Sequence, residues 1–432
     1  MAEVIDMNTR VLPAKTRYSA GVLPLGVQGQ SSKRVISPQN AGPYNSVNNT
    51  IRFVISSQDL LDTSMTCLKF QTTVALADNA HHVRPETSIN SIFKKLTIYS
   101  KSGGQILEQI DNYGLLHNLL SDMTMSQESR TGFESVLQGF GVTQNDGTVA
   151  SNTGEVDFTG AASVTKTFMV PVMSGIIGGL MNRYLPIQLT GDLIADLEIC
   201  NNYLVSSNAG TVKNIVVSNP QLHVQLVSIK GDFNEKLKQV CLSSSLFLST
   251  TSYRCYTKQI STLSDSFVIN ERIKSCRSLL WRYYPAVGAD STSRDGAPVN
   301  HQLSSLQVRA GSSNFFPAQP CTDQVEYLYE TLKALGVHNN TQYVNGNINA
   351  ASWARNTAGS INAKGSATYG MDMDVYGPNS GVEAGTNLAI ENPLYINITS
   401  TDADNAVVNC YVWLHYDMIL KIGNDGSTTV SY

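Results

Sequence analysis

The glycines at 175, 178 and 179 in "GIIGG" are the first place to look for chemistry, because glycine-rich turns can bring backbone amides close to a phosphate. A GxxxxGK[ST] loop also needs a lysine to reach the phosphates, and none follows Gly179 in register. The stretch reads as a turn between Pro171 and Pro186. His81 and His82 are adjacent, and neighbouring side chains on a strand point to opposite faces, so they make a poor chelating pair. Asp372 and Asp374 in "MDMDVYG" open like a calcium loop, but Tyr376 and Pro378 fall where further ligands belong. Asp192, Asp196 and Glu198 alternate along one strand and read as a wetted polar face. His117 lies one position off a helical apolar face and reads as a satisfied or solvated histidine. The sequence contains no GxSxG elbow and no HExxH helix. The expected catalytic, cofactor-binding and metal-ligating residues are therefore none, no cofactor is expected, and the chain is not expected to be an enzyme.

The composition points toward contacts rather than catalysis. Of 432 residues, 42% are hydrophobic, enough for real cores, but only 15% are charged, against roughly 25% in an ordinary soluble domain. Ser, Thr, Asn and Gln carry the polar balance, and such a surface suits broad, wet contacts with partner chains. The net charge is −4. Arg10, Lys15, Arg17, Lys33 and Arg34 are scattered through the N-terminal region rather than blocked together, so neither genome condensation nor sequence-specific nucleic-acid binding is expected. The seven cysteines are widely spaced without a CxxC, which fits free thiols in a reducing compartment. The N-terminus lacks an apolar signal core, so secretion is not expected and the Asn48, Asn339 and Asn397 sequons read as chance matches. No apolar run approaches the ~20 residues of a membrane span.

The length exceeds one hydrophobic core and calls for two domains. Residues 1–45 read as a coiled N-terminal arm. Residues 46–235 and 236–425 form two β-rich domains, with a boundary in "GDFNEKLKQVCLSSS" at 231–245, and 426–432 form a C-terminal tail. In the first domain "KKLTIYS", a Gly103-Gly104 turn and "ILEQI" make a hairpin. Asp111 stands as N-cap of a helix whose inner face carries Tyr113, Leu116, Leu119, Leu120 and Met123. Residues 126–165 and 337–390 read as long polar loops. Leu193, Ala195, Leu197 and Ile199 alternate inward, as do Leu222, Val224 and Leu226 up to a phase change at Val227. The second domain ends the same way, with Val408, Cys410, Val412, Leu414 and Tyr416 facing in. Its helix, 322–335, has Thr322 as expected N-cap, Val325, Leu328, Tyr329, Leu332 and Leu335 as expected apolar face, and Gly336 as stop. Each half thus has strands, one capped helix, one long polar loop and closing strands. The fold class is all-β: two consecutive antiparallel β-sandwich (jelly-roll) domains with short helices in the connecting segments.

Several stretches then line up in order. "SIFKKLTIYSKSGGQILEQIDNYGLLHNLL" resembles the strand–turn–strand–helix segment of double jelly-roll major capsid proteins of eukaryotic dsDNA viruses, of the polinton-like virus, adintovirus and virophage type. The matching residues are Ser91, Ile92, Phe93, Gly103, Gly104, Leu107, Glu108, Ile110, Tyr113, Leu115 and Leu116. "MVPVMSGIIGGLMNRYLPIQLTGDLIADLEI" is similar to that family's Pro…Ser-Gly…Tyr-Leu-Pro segment. "SNPQLHVQLVSI", "SSLQVRAGSSNFFPAQPCTDQVEYLYETLKALG" and "WLHYDMILKI" resemble its later strands and second helix. The resemblance implies homotrimers of pseudo-hexagonal outline that tile an icosahedral virion shell. It implies penton and minor capsid proteins as partners, an internal membrane layer as a further one, and assembly in the host cytoplasm or nucleus. The alternative from a different class is a carbohydrate-binding β-sandwich module with Trp281, Trp353 and Trp413 as stacking platforms; Trp413 falls opposite the inward face of its strand.

Overall fold

The computed structural model describes residues 29–74, 82–85, 87–101, 104–139, 158–159, 164–181, 183–200, 203–206, 215–229, 233–286, 298–312, 314–337, 353, 367–375, 385–390, 393–401, 407–424 and 426–432. His81 and most of the two long loops lie outside them.

Antiparallel strands build two face-to-face sheets before residue 230. One sheet runs β1 (Gly29–Ile36), β12 (Ile215–Ile229), β3 (Leu60–Val74), β8 (Val164–Pro171), with β9 (Leu185–Pro186) beside β3. The other runs β2 (Thr50–Ile55), β10 (Leu193–Ile199), β5 (Phe93–Ser100), β6 (Ile106–Asp111). A small third sheet joins β11 (Leu204–Ser206), β4 (His82–Pro85) and β7 (Phe158–Thr159). The alternation expected for 193–199 is present, with Leu193, Ala195, Leu197 and Ile199 buried. Phe70 of β3 meets Phe93 of β5 edge-on at 5.3 Å, which locks one sheet over the other. Burying a ring of that size contributes about 1.5–3 kcal/mol.

The strands after residue 245 repeat this order. The sheet β13 (Leu246–Ile260), β20 (Val408–Ile422), β15 (Cys276–Pro285), β18 (Thr368–Asp372) matches β1-β12-β3-β8, and β21 (Thr428–Ser431) pairs with β20. The sheet β14 (Ser264–Ile269), β19 (Leu394–Ser400), β16 (Leu303–Ala310), β17 (Asn314–Cys321) matches β2-β10-β5-β6. No described sheet mixes strands from the two sets. Each set has a hairpin leading into a helix: β5–β6 into α1 (Tyr113–Thr124) and β16–β17 into a helix at Gln324–Ala334. Val408, Cys410, Val412, Leu414 and Tyr416 are all buried, as their alternation requires. The result is an all-β chain of two sandwiches with short helices.

The structure departs from the sequence reading in several places. Residues 29–36 of the expected arm form β1, paired along its length with β12. All but the last of its residues are exposed, so it carries no hydrophobic period to read. The expected tail contains β21, registered against Ile419–Ile422. The expected loop 126–165 begins with α2 (Gln127–Thr131) and α3 (Phe133–Gln138), and α4 (Ile187–Thr190) follows β9. The boundary stretch holds α5 (Phe233–Ser243). β12 shifts register between Ser218 and Gln221 and between His223 and Gln225, not at Val227. Asn219 in the first shift takes φ 49°, a backbone that Asn tolerates better than most residues.

Two caps also differ. Asn112, at φ 53°, is the N-cap of α1 and makes no side-chain cap bond. Asp111 instead accepts from Gln109 Nε2 at 2.8 Å and faces Lys95 at 3.7 Å. The helix at 324–334, α6, is capped by Asp323, whose carboxylate accepts from the Val325 and Glu326 amides at 2.8 and 3.0 Å. Its buried residues are Tyr327 and Thr331, while Val325 and Tyr329 are 76% and 53% exposed. Tyr327 meets Tyr369 edge-on and donates to the Cys321 carbonyl, and Thr331 donates to the Thr368 carbonyl. Two polar anchors therefore set the roll of α6: Leu328 and Leu335 of the expected face pack against the core, while Val325 and Tyr329 turn outward. Gly336, at φ 69°, ends it as expected.

Gly114 shows why α1 sits where it does. A Cβ there would lie 2.8 Å from Cα of Ser91 and 2.9 Å from the Phe93 carbonyl, and nearer still to the Asn90 carbonyl. Alanine favours a helix over glycine by about 1 kcal/mol. Gly114→Ala nevertheless lowers stability, by about 1–3 kcal/mol from overpacking, as read from the urea midpoint at unchanged slope. An unchanged or raised midpoint contradicts this packing.

Candidate functional site

The side chains with chemical potential gather where the two sandwiches meet. Edge strand β6 of the first lies along edge strand β13 of the second. Glu108 of β6 is 2% exposed, and a carboxylate buried to that degree must be met by donors. Four are present: Ser174 Oγ, the Gly175 amide at 2.7 Å, the Ile176 amide at 3.3 Å, and Ser252 Oγ of β13 at 2.6 Å. The "GIIGG" turn is thus an anion cradle after all, filled by the chain's own carboxylate. Gly175 is required there, because its Cβ would lie 2.9 Å from Met418 Cε and 3.0 Å from Glu108 Oε1. Its carbonyl accepts from Thr250 of β13 at 2.7 Å. Burial raises the Glu108 carboxyl above its ordinary value, and the bonds from Ser174, Ser252, Gly175 and Ile176 pull against that shift.

A second buried charge group lies further along the seam. Asp122 of α1 accepts from Arg130 at 2.9 Å and from Arg282 of β15 at 2.8 Å. Arg282 Nε donates to Thr368 Oγ1 at 2.6 Å. All three charged residues are at most 3% exposed. Between the two charge groups, Tyr203 donates to Asn112 Oδ1 at 2.5 Å, Asn112 reaches Cys255 Sγ at 3.2 Å, and Trp413 Nε1 donates to the Asp111 carbonyl at 3.4 Å. Tyr411 stacks on Trp413 at 6.1 Å and meets Tyr284 edge-on at 5.4 Å.

His117 sits behind Asp122, within reach of Ser121 Oγ at 3.3 Å, Ser88 Oγ at 3.4 Å and Asn90 Nδ2 at 3.2 Å. It is the satisfied histidine expected of it. Burial, and then the nearby Arg130 charge, lower its pKa to about 4, while Asp122 opposes the shift. His415 is likewise lowered by burial, to about 3.

The other residues picked out by type disperse. Asp196 is not wetted: it is 8% exposed and held by Arg52 through two bonds of 2.8 and 2.6 Å. Asp192 pairs with Lys101 at 2.7 Å, and Glu198 with Lys94 at 3.8 Å. Asp374 faces Arg277 at 3.6 Å and takes its amide bond to Asp372. Among the described residues no His, Cys, Asp or Glu cluster could hold a metal. Trp281, Trp353 and Trp413 are at most 3% exposed, so none is a surface platform for a sugar ring. Glu108, Asp122 and Arg282 are the residues that type and spacing passed over. Their signal was a charge inside an apolar run, as in "LLWRYYP" around Arg282.

Two outcomes follow from the seam. Glu108→Gln replaces an acceptor by an amide donor facing donors and lowers stability by about 2–4 kcal/mol, whereas Ser252→Ala costs about 1 kcal/mol, both read by chemical denaturation. Equal stability of wild type and Glu108→Gln contradicts the cradle. His117 stays neutral in the folded chain down to about 4, but takes a proton below 6.5 when unfolded. Its contribution is therefore present above pH 6.5 and is lost as pH falls toward 4. The drop in melting temperature between pH 7 and pH 5 is expected to be smaller in His117→Gln; an identical drop refutes a neutral buried His117.

No protein-family model matches this chain, and no curated protein matches it in sequence. Solved structures do match over nearly its whole length. The Sputnik virophage structure aligns with a TM-score of 0.63 at 14% identity, over 98% of this chain and 92% of that one. The PBCV-1 virus capsid aligns at 0.60 and 11%, over 95% and 98%. The Faustovirus major capsid protein aligns at 0.57 and 10%, over 97% and 94%. The structural neighbours are double jelly-roll major capsid proteins, and this chain has their fold.

Proposed function

We propose that the chain is a major capsid protein, which self-assembles as pseudo-hexagonal homotrimers that tile an icosahedral virion shell. The observation that carries the reading is the match to capsid proteins along both sandwiches, with more than nine-tenths of each chain covered. The seam supports it: the buried Asp122–Arg282 pair and the Ser252–Glu108 hydrogen bond tie the two sandwiches into one block, which is what a tile needs. A surface of hydroxyls and amides suits contacts that are individually weak and become strong by repetition. On this reading the sandwich edges and loop ends meet neighbours, and residues before β1 tie the tile to its surroundings. Penton and minor capsid proteins are further partners, with an internal membrane beneath the shell, and the protein resides in virions built in the cytoplasm or nucleus of a host cell. The carbohydrate-module alternative loses its platforms to burial.

The test is assembly. The purified chain is expected to show the mass of three subunits by light scattering and hexagonal outlines by negative-stain microscopy. A chain that stays monomeric at high concentration overturns the reading.

A further inference from the structure

The two sandwiches repeat one plan, and a position that is filled in the first is open in the second. In the first, β12 lies between β1 and β3. In the second, β20 has β13 on one side; on the other it has β15 up to Tyr416 and β21 from Ile419 onward. β21 therefore stands in the slot held by the first residues of β3. Those residues carry a further strand, since Leu61 pairs with Leu185 and Leu60 with Pro186 of β9. Among the described strands β21 pairs with β20 alone, which leaves its other edge unmatched. The edge is held in place, because Thr428 donates to the Thr190 carbonyl of the first sandwich at 3.1 Å.

A hollow of about 440 Å³ opens between the Ser431 end of β21 and the start of β15, lined by Ser275, Asp417, Ile419 and Tyr432. That is within the ~300–1,000 Å³ of clefts that hold a compact ligand. In the first sandwich, Arg183 and Tyr184 run beside Thr63 and Ser64 of β3 on their way into β9. The segment that fills this place reads Arg183-Tyr184-Leu185-Pro186-Ile187. Leu185 is 0% exposed and anchors the strand. Pro186 has no N–H, which suits an edge that accepts no further strand. The sequence has two other Leu-Pro dipeptides, and both lie before β1. Arg10-Val11-Leu12-Pro13-Ala14 repeats the arginine as well as the pair, and the other is Val22-Leu23-Pro24-Leu25.

Reach separates the two. Gly29 starts β1 opposite Ile229, and Leu246 starts β13 opposite Ile422, which faces Thr428 of β21. Residues 230–245 join these places, and 11 of them are helical in α5, so Ile229 and Leu246 are at most ~40 Å apart. Residues 15–28 span up to ~50 Å between Ala14 and Gly29, whereas residues 26–28 reach only ~14 Å from Leu25. We infer that residues 10–14 of the chain's own N-terminal segment add to the free edge of β21 as an extended strand, in the place that β9 takes beside β3. Leu12 enters the hollow against Ile419 and Tyr432, and Pro13 closes the edge. The tether holds this segment at an effective concentration on the order of mM, which favours it over the segment of another copy. Residues 1–9 are left for the outward ties of the tile.

The test is hydrogen exchange of the amides at 428–432 in the full chain. Leu12→Asp is expected to speed it about tenfold over wild type, and Leu23→Asp to leave it unchanged. A synthetic peptide of residues 8–16, in excess over the Leu12→Asp chain, is expected to restore slow exchange, which also shows that the variant is folded. The same peptide carrying Leu12→Asp is expected to restore nothing. Amine cross-linking of unlabelled and isotope-labelled chains, mixed before assembly, then identifies which chain supplies the strand. Lys15 is expected to join Lys421, exposed on β20 beside β21, only within chains of one label. Equal exchange in wild type and Leu12→Asp, loss of protection in Leu23→Asp instead, or links that mix the labels overturn the inference. The mass of three subunits is a separate measurement, so failure here leaves the capsid reading standing.

Discussion

A carboxylate taken out of water between two sheet edges must be given a complete set of donors, or it will not stay there. Glu108 is in that position, and much of the architecture follows from it. Two of its donors are backbone amides of the 175–176 turn, which fixes the path of the chain leaving β8. A third is Ser252, which fixes β13 against β6. Tyr113, opening α1, accepts from the Met173 amide at 2.8 Å and pins the helix to the same turn. A hairpin, a turn, a helix and the first strand of the next sandwich are thus referenced to one side chain.

The Asp122 group works by a different rule. A single acid shared by Arg130 and Arg282 gains little over an apolar contact of the same shape, since desolvating three charges offsets most of their attraction. What it supplies is direction: a guanidinium accepts few arrangements of its partners, so α1 and β15 meet in one register. Stacked aromatics between the two charge groups then add burial without adding choice.

What could be read from sequence, and what could not, divides along physical lines. Strands with one wet and one dry face announce themselves, as 193–199 and 408–416 do. β1 is wet on both faces and looked like coil, because its strand character comes wholly from pairing with β12. The roll of α6 departs from its apolar period because Tyr327 and Thr331, held by hydrogen bonds, outcompete Val325 and Tyr329 for the core. Asp111 lost the N-cap to Asn112, whose side chain is spent on Tyr203 and Cys255 instead. The two family-like stretches around Glu108 and Ser174 were legible separately; that they are two halves of one contact, 66 positions apart, was not.

The pairing of β1 with β12 also bears on how the chain is made. A ribosome releases β1 first, yet its mate is the last strand of the same sandwich, and Ser31 bonds to Gln225 across 194 positions. At usual elongation speeds that gap lasts roughly 10–40 s, during which the leading segment has nowhere to pair. Its run of polar and basic residues, Ser31, Ser32, Lys33 and Arg34, keeps an unmatched edge soluble through the wait.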